Sequence, residues 1–398
     1  MAEHVDILIS GGGIAGLTAA AAFGQAGFSV LLVDPAVPVE QGSDPAADLR
    51  STAYLPPARA LFEQIGLWDL LSPHAVPLDA LRIIDTTGTP PEITETRTFD
   101  PSDLDETTFG WNLPNWLTRR ELAAAIARQP GVELALGTGF ASMLQRSREA
   151  IVTLSDKRQI RARLVIGADG RASPVREAAG IGVQTQRYGQ KVLAFSATHV
   201  LPHENISTEI YNQGGAFTTV PLPDHEGRPA SAIVWMNDGP RAQALDAMDA
   251  VNFNAEMTQR ACGLLGPMER IGGLRAWPVI TQRATTLTSA RTALIAEAAH
   301  VLPPIGAQGL NTSLHDVAAL LSLAQNAPDA LGTPPQMAAY EKTRARDIAL
   351  RARAIDVFNR ICKSGESPVQ ALRRGGLKLV HDIAPLRKAI MRAGIGPN

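Results

Sequence analysis

Short apolar runs closed by a glycine or an acid punctuate both ends of this chain. Val5-Asp6-Ile7-Leu8-Ile9 reads as a buried strand, and Gly11-Gly12-Gly13-Ile14-Ala15-Gly16 follows it at once. An alanine-rich stretch from about Leu17 to Gln25 predicts a helix, and Gly27 stops it. Phe28-Ser29-Val30-Leu31-Leu32-Val33 predicts a second strand, ending in Asp34. The same pattern returns at Arg163-Leu164-Val165-Ile166, before Gly167-Ala168-Asp169-Gly170, and at Ala293-Leu294-Ile295-Ala296, before Glu297. Gly309 to Gln325 then predicts a long apolar helix. Between these, Lys191–Phe195, Ala216–Val220 and Ser231–Trp235 predict antiparallel strands set off by turn residues. From about Met337 the chain reads as helical and basic. Strands and helices alternate at both ends and strands dominate the middle. That pattern predicts an α/β, Rossmann-like nucleotide domain interrupted by a β-rich substrate domain, with a C-terminal helical segment. The expected division gives residues 1–70, 115–185 and 285–339 to the nucleotide domain, 71–114 and 186–284 to the β-rich domain, and 340–398 to the helical end.

Composition narrows the class. Of 398 residues 45% are hydrophobic, which excludes intrinsic disorder, and 34 Gly with 28 Pro show no period, which excludes a collagen-like chain. No uncharged apolar run approaches the roughly 18 residues of a membrane span. The apolar start lacks the basic flank of a signal peptide. Two cysteines, Cys262 and Cys362, are too few and too far apart for a disulfide framework or a zinc site, so no metal is expected and a reducing, cytoplasmic setting is implied. The overall charge of −2 conceals an asymmetry: residues 340–398 hold 13 Lys/Arg against 5 Asp/Glu, a balance of +8 on a body of −10. Such an end suits the anionic inner face of a membrane, a protein partner, or a solvated helix face that neutralises the body. Nucleic acid is not expected, because no aromatic residues interleave with the basic ones.

The glycine turn carries the first chemistry. Gly11-x-Gly13-x-x-Gly16 has a strand before it, a helix after it, and an acid at Asp34, 18 residues past the last glycine. Gly11 permits the turn, Gly13 lets backbone approach a pyrophosphate at the helix N-terminus, and Gly16 lets the helix pack on the sheet. Asp34 can accept both adenosine ribose hydroxyls. FAD and NAD share this unit. The later motifs favour FAD: Gly167-Ala168-Asp169-Gly170 follows one strand, and Glu297 to Asn311 joins another strand to a helix through a Pro-Gly loop. A strand-end acid can bind a ribityl chain, and the amides of Gly309-Leu310-Asn311 can face the flavin edge that turns negative on reduction.

Taken together these motifs resemble the FAD-dependent aromatic hydroxylases typified by p-hydroxybenzoate hydroxylase, and are similar above all to the ubiquinone-biosynthesis hydroxylases. The resemblance covers essentially the whole chain. Its more specific parts are Asp169-Gly170 with Ser173 and Arg176, and Pro303-Pro304-x-Gly306-x-x-Gly309-Leu310-Asn311 ending at Asp316. The ubiquinone branch is marked by Asp48-Leu49-Arg50-Ser51-Thr52-Ala53, Phe109 to Asn115, Gly214 to Leu222 and Ser231 to Trp235. The resemblance implies that Gly11, Gly13, Ile14, Ala15, Gly16 and Asp34 bind the nucleotide. It implies that Arg50, with Ser51 nearby, reaches the flavin, and that Arg119 or its neighbour Arg120 contacts the phosphate or ribityl region. Asp169 and Gly170 would support FAD and transient NAD(P)H binding, and Glu297, Gly309, Leu310 and Asn311 would complete the cofactor site. Pro303, Pro304 and Gly306 would line the substrate side of the ring, with His300 beside them in a structural or proton-relay role.

The implied activity is NAD(P)H-driven monooxygenation of an aromatic ring through a flavin C4a-hydroperoxide. The implied partners are dioxygen and a polyprenylated phenol or quinol, met at the membrane surface by the basic end or within a biosynthetic complex. One departure stands out. The family has Gly-Asp where this chain has Ala296-Glu297, which adds a Cβ where backbone approach is close. Two other readings stay open: hydroxylation of a soluble aromatic, and a flavin-poor accessory protein of the same pathway.

Overall fold

Three sheets organise residues 3–396, the part of the chain described by the computed structural model. The first is built on Glu3–Ser10, whose last four residues are buried, as expected of a strand covered on both faces. It pairs in parallel with Gln159–Gly167 on one side and Val30–Asp34 on the other. Thr292–Leu294 and Val132–Leu136 extend the parallel array outward. The helices Ile14–Gln25, Asn115–Ile126 and Gln308–Asn326 share its core, where Ile7, Leu17, Leu122 and Val317 are all inaccessible. Register is what makes the site. Ser10 lies opposite Gly167, and Gly167 opposite Leu294, so three strands end level with one another at a single edge. Open α/β sheets bind ligands beyond the carboxyl ends of their strands.

The second sheet has eight strands and is antiparallel except for one pair. Val183–His199 lies between Met268–Ala284 and Arg228–Asp238, followed by Gly215–His225, Ile206–Asn212, Ala80–Thr87 and Glu92–Phe99. Two of these strands run 17 residues: no apolar run announces Met268–Ala284, and Val183–His199 extends far past Lys191–Phe195. The extension is polar (Gln184, Gln186, Arg187) and exposed, so it carries no hydrophobic pattern. Ala80–Thr87 and Glu92–Phe99 were likewise invisible, because Glu92-Ile93-Thr94-Glu95-Thr96-Arg97 has no continuous apolar face. One side of this sheet packs on the helices Gly239–Asp246 and Ala250–Arg260 through Phe195, Phe217, Trp235 and Phe253. The other side, with Val192, Tyr211, Met236 and Val279, meets Leu302 and Ile305 of the first domain. A small third sheet joins Ser51–Tyr54, Trp111–Pro114 and Val76–Pro77.

The basic end is part of the body. Its long helix, Pro334–Lys363, buries Tyr340, whose hydroxyl donates to the Leu294 carbonyl at 2.9 Å. The next two helices, Ser367–Asp382 and Ala384–Ile395, tuck Arg373 against Asp85 and hold Arg387 to Asp103 at 2.7 Å. Two of the excess positive charges are therefore matched by acids of the body. No helix among the described residues is long and apolar enough to cross a membrane.

Candidate active site

The glycine turn sits at the level edge of the parallel sheet. Gly11 turns at φ +113°, and Gly13 stands extended (φ −74°, ψ 176°) before the helix Ile14–Gln25, which has no side-chain cap. The first amides of that helix face outward, a ready anion site. The three glycines answer different constraints. A Cβ on Gly11 would overlap the Ala168 carbonyl and one on Gly16 the Gly11 carbonyl, whereas a Cβ on Gly13 would meet no atom within 4 Å. The protein's own packing demands the first two. Nothing in the protein demands Gly13, which leaves a cradle for a ligand.

Asp34 accepts the Gly12 amide at 2.5 Å and the Ala36 amide at 2.7 Å. Arg119 braces the same turn, donating to the Gly12 and Ala36 carbonyls at 2.7 Å each, with Asp34 3.5 Å away. Arg120 turns aside to Glu121 and lies 5.3 Å from the Trp116 ring. The second motif interlocks with the first, for the Ala168 amide donates to the Ser10 carbonyl at 2.8 Å. One oxygen of Asp169 accepts the Ser10 hydroxyl at 3.3 Å and the Val175 amide at 3.1 Å, while its Oδ1 is buried without a partner. Burial pushes this carboxyl above the usual range. Arg176 ties the motif to the next one, donating to the Ala298 carbonyl at 2.9 Å.

The third strand ends at Leu294, and Ala296–Ala299 form one helical turn. Ala296 is left-handed, at φ +55°, where its Cβ is strained and a glycine would not be. Ala296→Gly is therefore expected to raise the unfolding free energy by about 1 kcal/mol, read by urea denaturation. A less stable glycine variant would contradict that. Glu297 is exposed and lies 3.6 Å from Arg50. Arg50 also pairs with Asp48 at 2.8 Å and stands 5.4 Å over the Trp277 ring. Burial opposes its charge, but Asp48 and then Glu297 outweigh burial and hold the guanidinium firmly protonated. Asn115 completes the cluster, donating to Asp48 at 3.0 Å and accepting the Thr52 hydroxyl at 2.8 Å. Arg50 and Glu297, remote in sequence, thus meet at one opening with Trp277 of the second sheet beside them; Ser51 lies alongside, paired with Pro114.

The Pro-Gly loop closes the other side. Pro303 is buried, while Pro304 and Gly306 are exposed, and Gly306 and Ala307 are both left-handed at φ +61° and +55°. The helix Gln308–Asn326 opens without a side-chain cap, and the Gly309 and Leu310 amides have no backbone acceptor among the described residues. A Cβ on Gly309 would meet nothing within 4 Å. This is a second free helix start, suited to the electron-rich edge of a ring.

Two expected site residues serve the protein itself. Asn311 gives both amide protons away, to the Ala53 carbonyl at 2.8 Å and the Ala307 carbonyl at 2.7 Å, and accepts the Leu55 amide at 3.0 Å. It pins the helix start to the strand Ser51–Tyr54. His300 is sealed from solvent, its Nε2 2.7 Å from Asp316. Asp316, wholly inaccessible, also accepts the Ala296 amide at 3.1 Å and Arg344 Nε at 2.8 Å. His300 thus bonds inward, to Asp316 beneath the loop. Arg344 was not singled out from the sequence, where it reads as one more charge on a basic helix.

Two uncapped helix starts and a level row of strand ends, faced by the second sheet, make a site of the kind a dinucleotide fills. The geometry fits FAD: Gly13 and Gly309 leave space, the first amides of both helices are free, and Asp169 keeps an oxygen unpartnered. Residues 4–349 match the family described as the FAD binding domain. The chain belongs to that family, and FAD is its cofactor. It is 33% identical to the ubiquinone hydroxylase UbiL of Rhodospirillum rubrum over 98% of this chain and 89% of that protein. It is 26% identical to the 3-demethoxyubiquinol 3-hydroxylase of Escherichia coli, covering 99% of each. The fold superposes on the p-nitrophenol 4-monooxygenase of Pseudomonas putida with a TM-score of 0.81 at 18% identity over 100% of both chains. The chain is an FAD-dependent monooxygenase of the aromatic-hydroxylase type.

Proposed function

We propose that this protein hydroxylates the ring of a polyprenylated phenol or quinol in ubiquinone biosynthesis, using dioxygen and NAD(P)H. The observation that carries the proposal is the meeting of the Pro-Gly loop with the apolar face of the second sheet, where Leu302 and Ile305 pack with Val192 and Val279. Bound FAD supplies the reducible ring that activates dioxygen. The residues around it would bind, orient and exclude water: Asp34 would hold the adenosine end, Gly13 would make room for the pyrophosphate, Asp169 and Arg50 would hold the middle, and Gly309 and Leu310 the ring edge. Pro303, Pro304 and Gly306 would line the substrate side. The similarity to two ubiquinone hydroxylases over nearly the full chain favours this substrate class over a soluble phenol. The test is NAD(P)H oxidation across a panel of prenylated and soluble phenols. Prenylated phenols are expected to stimulate consumption and yield a hydroxylated product; stimulation by soluble phenols alone would contradict the proposal.

A lipid-borne substrate requires contact with a membrane surface. Leu372 and Leu379, one heptad apart, are exposed on the helix Ser367–Asp382, Ile390 on Ala384–Ile395 and Ile383 at the junction between them, with Lys378 and Arg392 also exposed. Exposed apolar residues with basic neighbours complement anionic lipid. Because this segment is packed into the fold, surface substitution tests it better than truncation. Leu372→Glu with Leu379→Glu is expected to lower co-sedimentation with anionic liposomes by roughly tenfold while leaving flavin content intact. Equal binding by the variant and the parent would remove the idea.

A further inference from the structure

Alternation along Ile206–Asn212 sends Ile210 into the core behind the second sheet, with Phe217 and Phe253. Tyr211 therefore points to the opposite face, the one that meets Leu302 and Ile305, and Glu209 shares that face two residues before it. Glu209 lies between Thr218 and Ile83 on neighbouring strands, both half-buried. The Tyr211 hydroxyl donates to the Glu209 carboxylate, and Tyr211 packs in one cluster with Leu302 and Ile305 of the Pro-Gly loop. A buried acid thus lies on the sheet face that meets the loop on which the flavin ring is expected to lie.

No cation balances it. Among the described residues Glu209 makes no ion pair. The two nearby arginines are engaged elsewhere: Arg373 with Asp85, and Arg260 with the carbonyls of Ile210 and Gly215 at 2.8 and 3.0 Å. An uncompensated buried carboxylate is costly, and where it persists beside a site its chemistry is the physical reason to look for a role.

Resting on the reading of the substrate as a phenol, we propose that Glu209 is the base that takes the substrate's hydroxyl proton, with Tyr211 orienting the receiving carboxylate. The substrate O–H bond breaks, the proton passes to a Glu209 oxygen, and the electron pair stays on the ring oxygen, enriching the carbons beside it. After oxygen insertion the hydroxylated carbon loses its proton to water, the C–H electron pair returns to the ring and restores aromaticity, and Glu209 returns its own proton to the ring oxygen. The surroundings suit a base. Burial raises the Glu209 carboxyl, and burial together with the Glu209 charge raises the Tyr211 hydroxyl well beyond its usual range. Tyr211 therefore stays a donor, and Glu209 is the member of the pair that gains and loses the proton. Cys362 of the long helix, with Asp85 and Arg373 beyond it, is the remaining titratable company, and burial keeps that thiol protonated. A raised carboxyl lies nearer the substrate's own pKa, which is where general-base transfer is efficient.

The experiment compares wild type, Glu209→Gln, Glu209→Asp and Tyr211→Phe with a short-tail 2-prenylphenol as the probe, reading hydroxylated product against NAD(P)H consumed from pH 6 to 10. Glu209→Gln, which is isosteric and still accepts from Tyr211, is expected to keep its flavin and to lose ~10²–10⁴-fold in hydroxylation rate at neutral pH. Its rate should climb with pH as the phenol ionises in solution, whereas the wild type levels off earlier. Glu209→Asp should recover part of the rate, and Tyr211→Phe should shift the lower limb of the profile. A Glu209→Gln enzyme with the wild-type rate and pH profile would overturn the base assignment alone. A wild-type enzyme that hydroxylates no phenol would overturn the substrate reading and this proposal with it.

Discussion

Gly13→Val is expected to leave the FAD-free protein almost as stable as the parent and to cost it the cofactor. The position is extended, open to any side chain, and precedes a helix whose amides the protein leaves free. Only the helix-start preference changes, a matter of about 1 kcal/mol or less. A bulky side chain in the cradle, however, holds a pyrophosphate away from those amides. Losing about two charge-assisted hydrogen bonds weakens binding by at least ~100-fold. Gly16→Val supplies the contrast. Its side chain would drive into the Gly11 carbonyl, so it should destabilise the apoprotein by about 1–3 kcal/mol or more. Urea midpoints without FAD and fluorescence titration with FAD separate the two. Equal FAD affinity in Gly13→Val and the parent would show that the pyrophosphate lies elsewhere.

Asp316→Asn should be the most damaging single change in the scaffold. The carboxylate is inaccessible and holds the Ala296 amide, His300 and Arg344 together beneath the Pro-Gly loop. Its removal leaves the buried Arg344 charge only the half-buried Asp347, 2.8 Å away, as a partner, a loss of about 3 kcal/mol, the lower end for a broken buried pair. Combining Asp316→Asn with Arg344→Met should be less harmful than the two single losses added, as for any contacting pair. The pH dependence follows. Burial raises this carboxyl, but His300 and Arg344 outweigh burial and hold it below its ordinary value. Its contribution is therefore complete above about pH 4, the unfolded value, and fades as acid carries the pH down through the lower folded one. Asp316→Asn should flatten that part of the acid limb. Urea denaturation between pH 3 and 7 reads both effects, and a variant with the parent's midpoint throughout would contradict them.

Much of the nucleotide half was legible because its signals are local. A glycine turn between an apolar strand and an alanine-rich helix states its own geometry, and the third strand and the helix after the Pro-Gly loop were equally plain. What escaped the sequence depends on distance. Glu92–Phe99 becomes a strand through pairing with Ala80–Thr87, which in turn pairs with Ile206–Asn212 more than a hundred residues on. Asn311 and His300 sit within site motifs yet bond inward, and nothing in their spacing reveals which way a side chain turns. Arg344 and Arg373 look like members of a solvated basic face until the fold buries them against Asp316 and Asp85. Glu209 and Tyr211 form no motif at all; the sheet's alternation and the loop's approach bring them together.

Isotope tracing is the most direct test of aromatic monooxygenation at this site. The FAD-loaded protein, given NAD(P)H and a prenylated phenol under ¹⁸O₂, is expected to form a product with one labelled atom in a new ring hydroxyl and none drawn from water. Consumption of NAD(P)H with all the oxygen recovered as hydrogen peroxide, for every phenol offered, would contradict it.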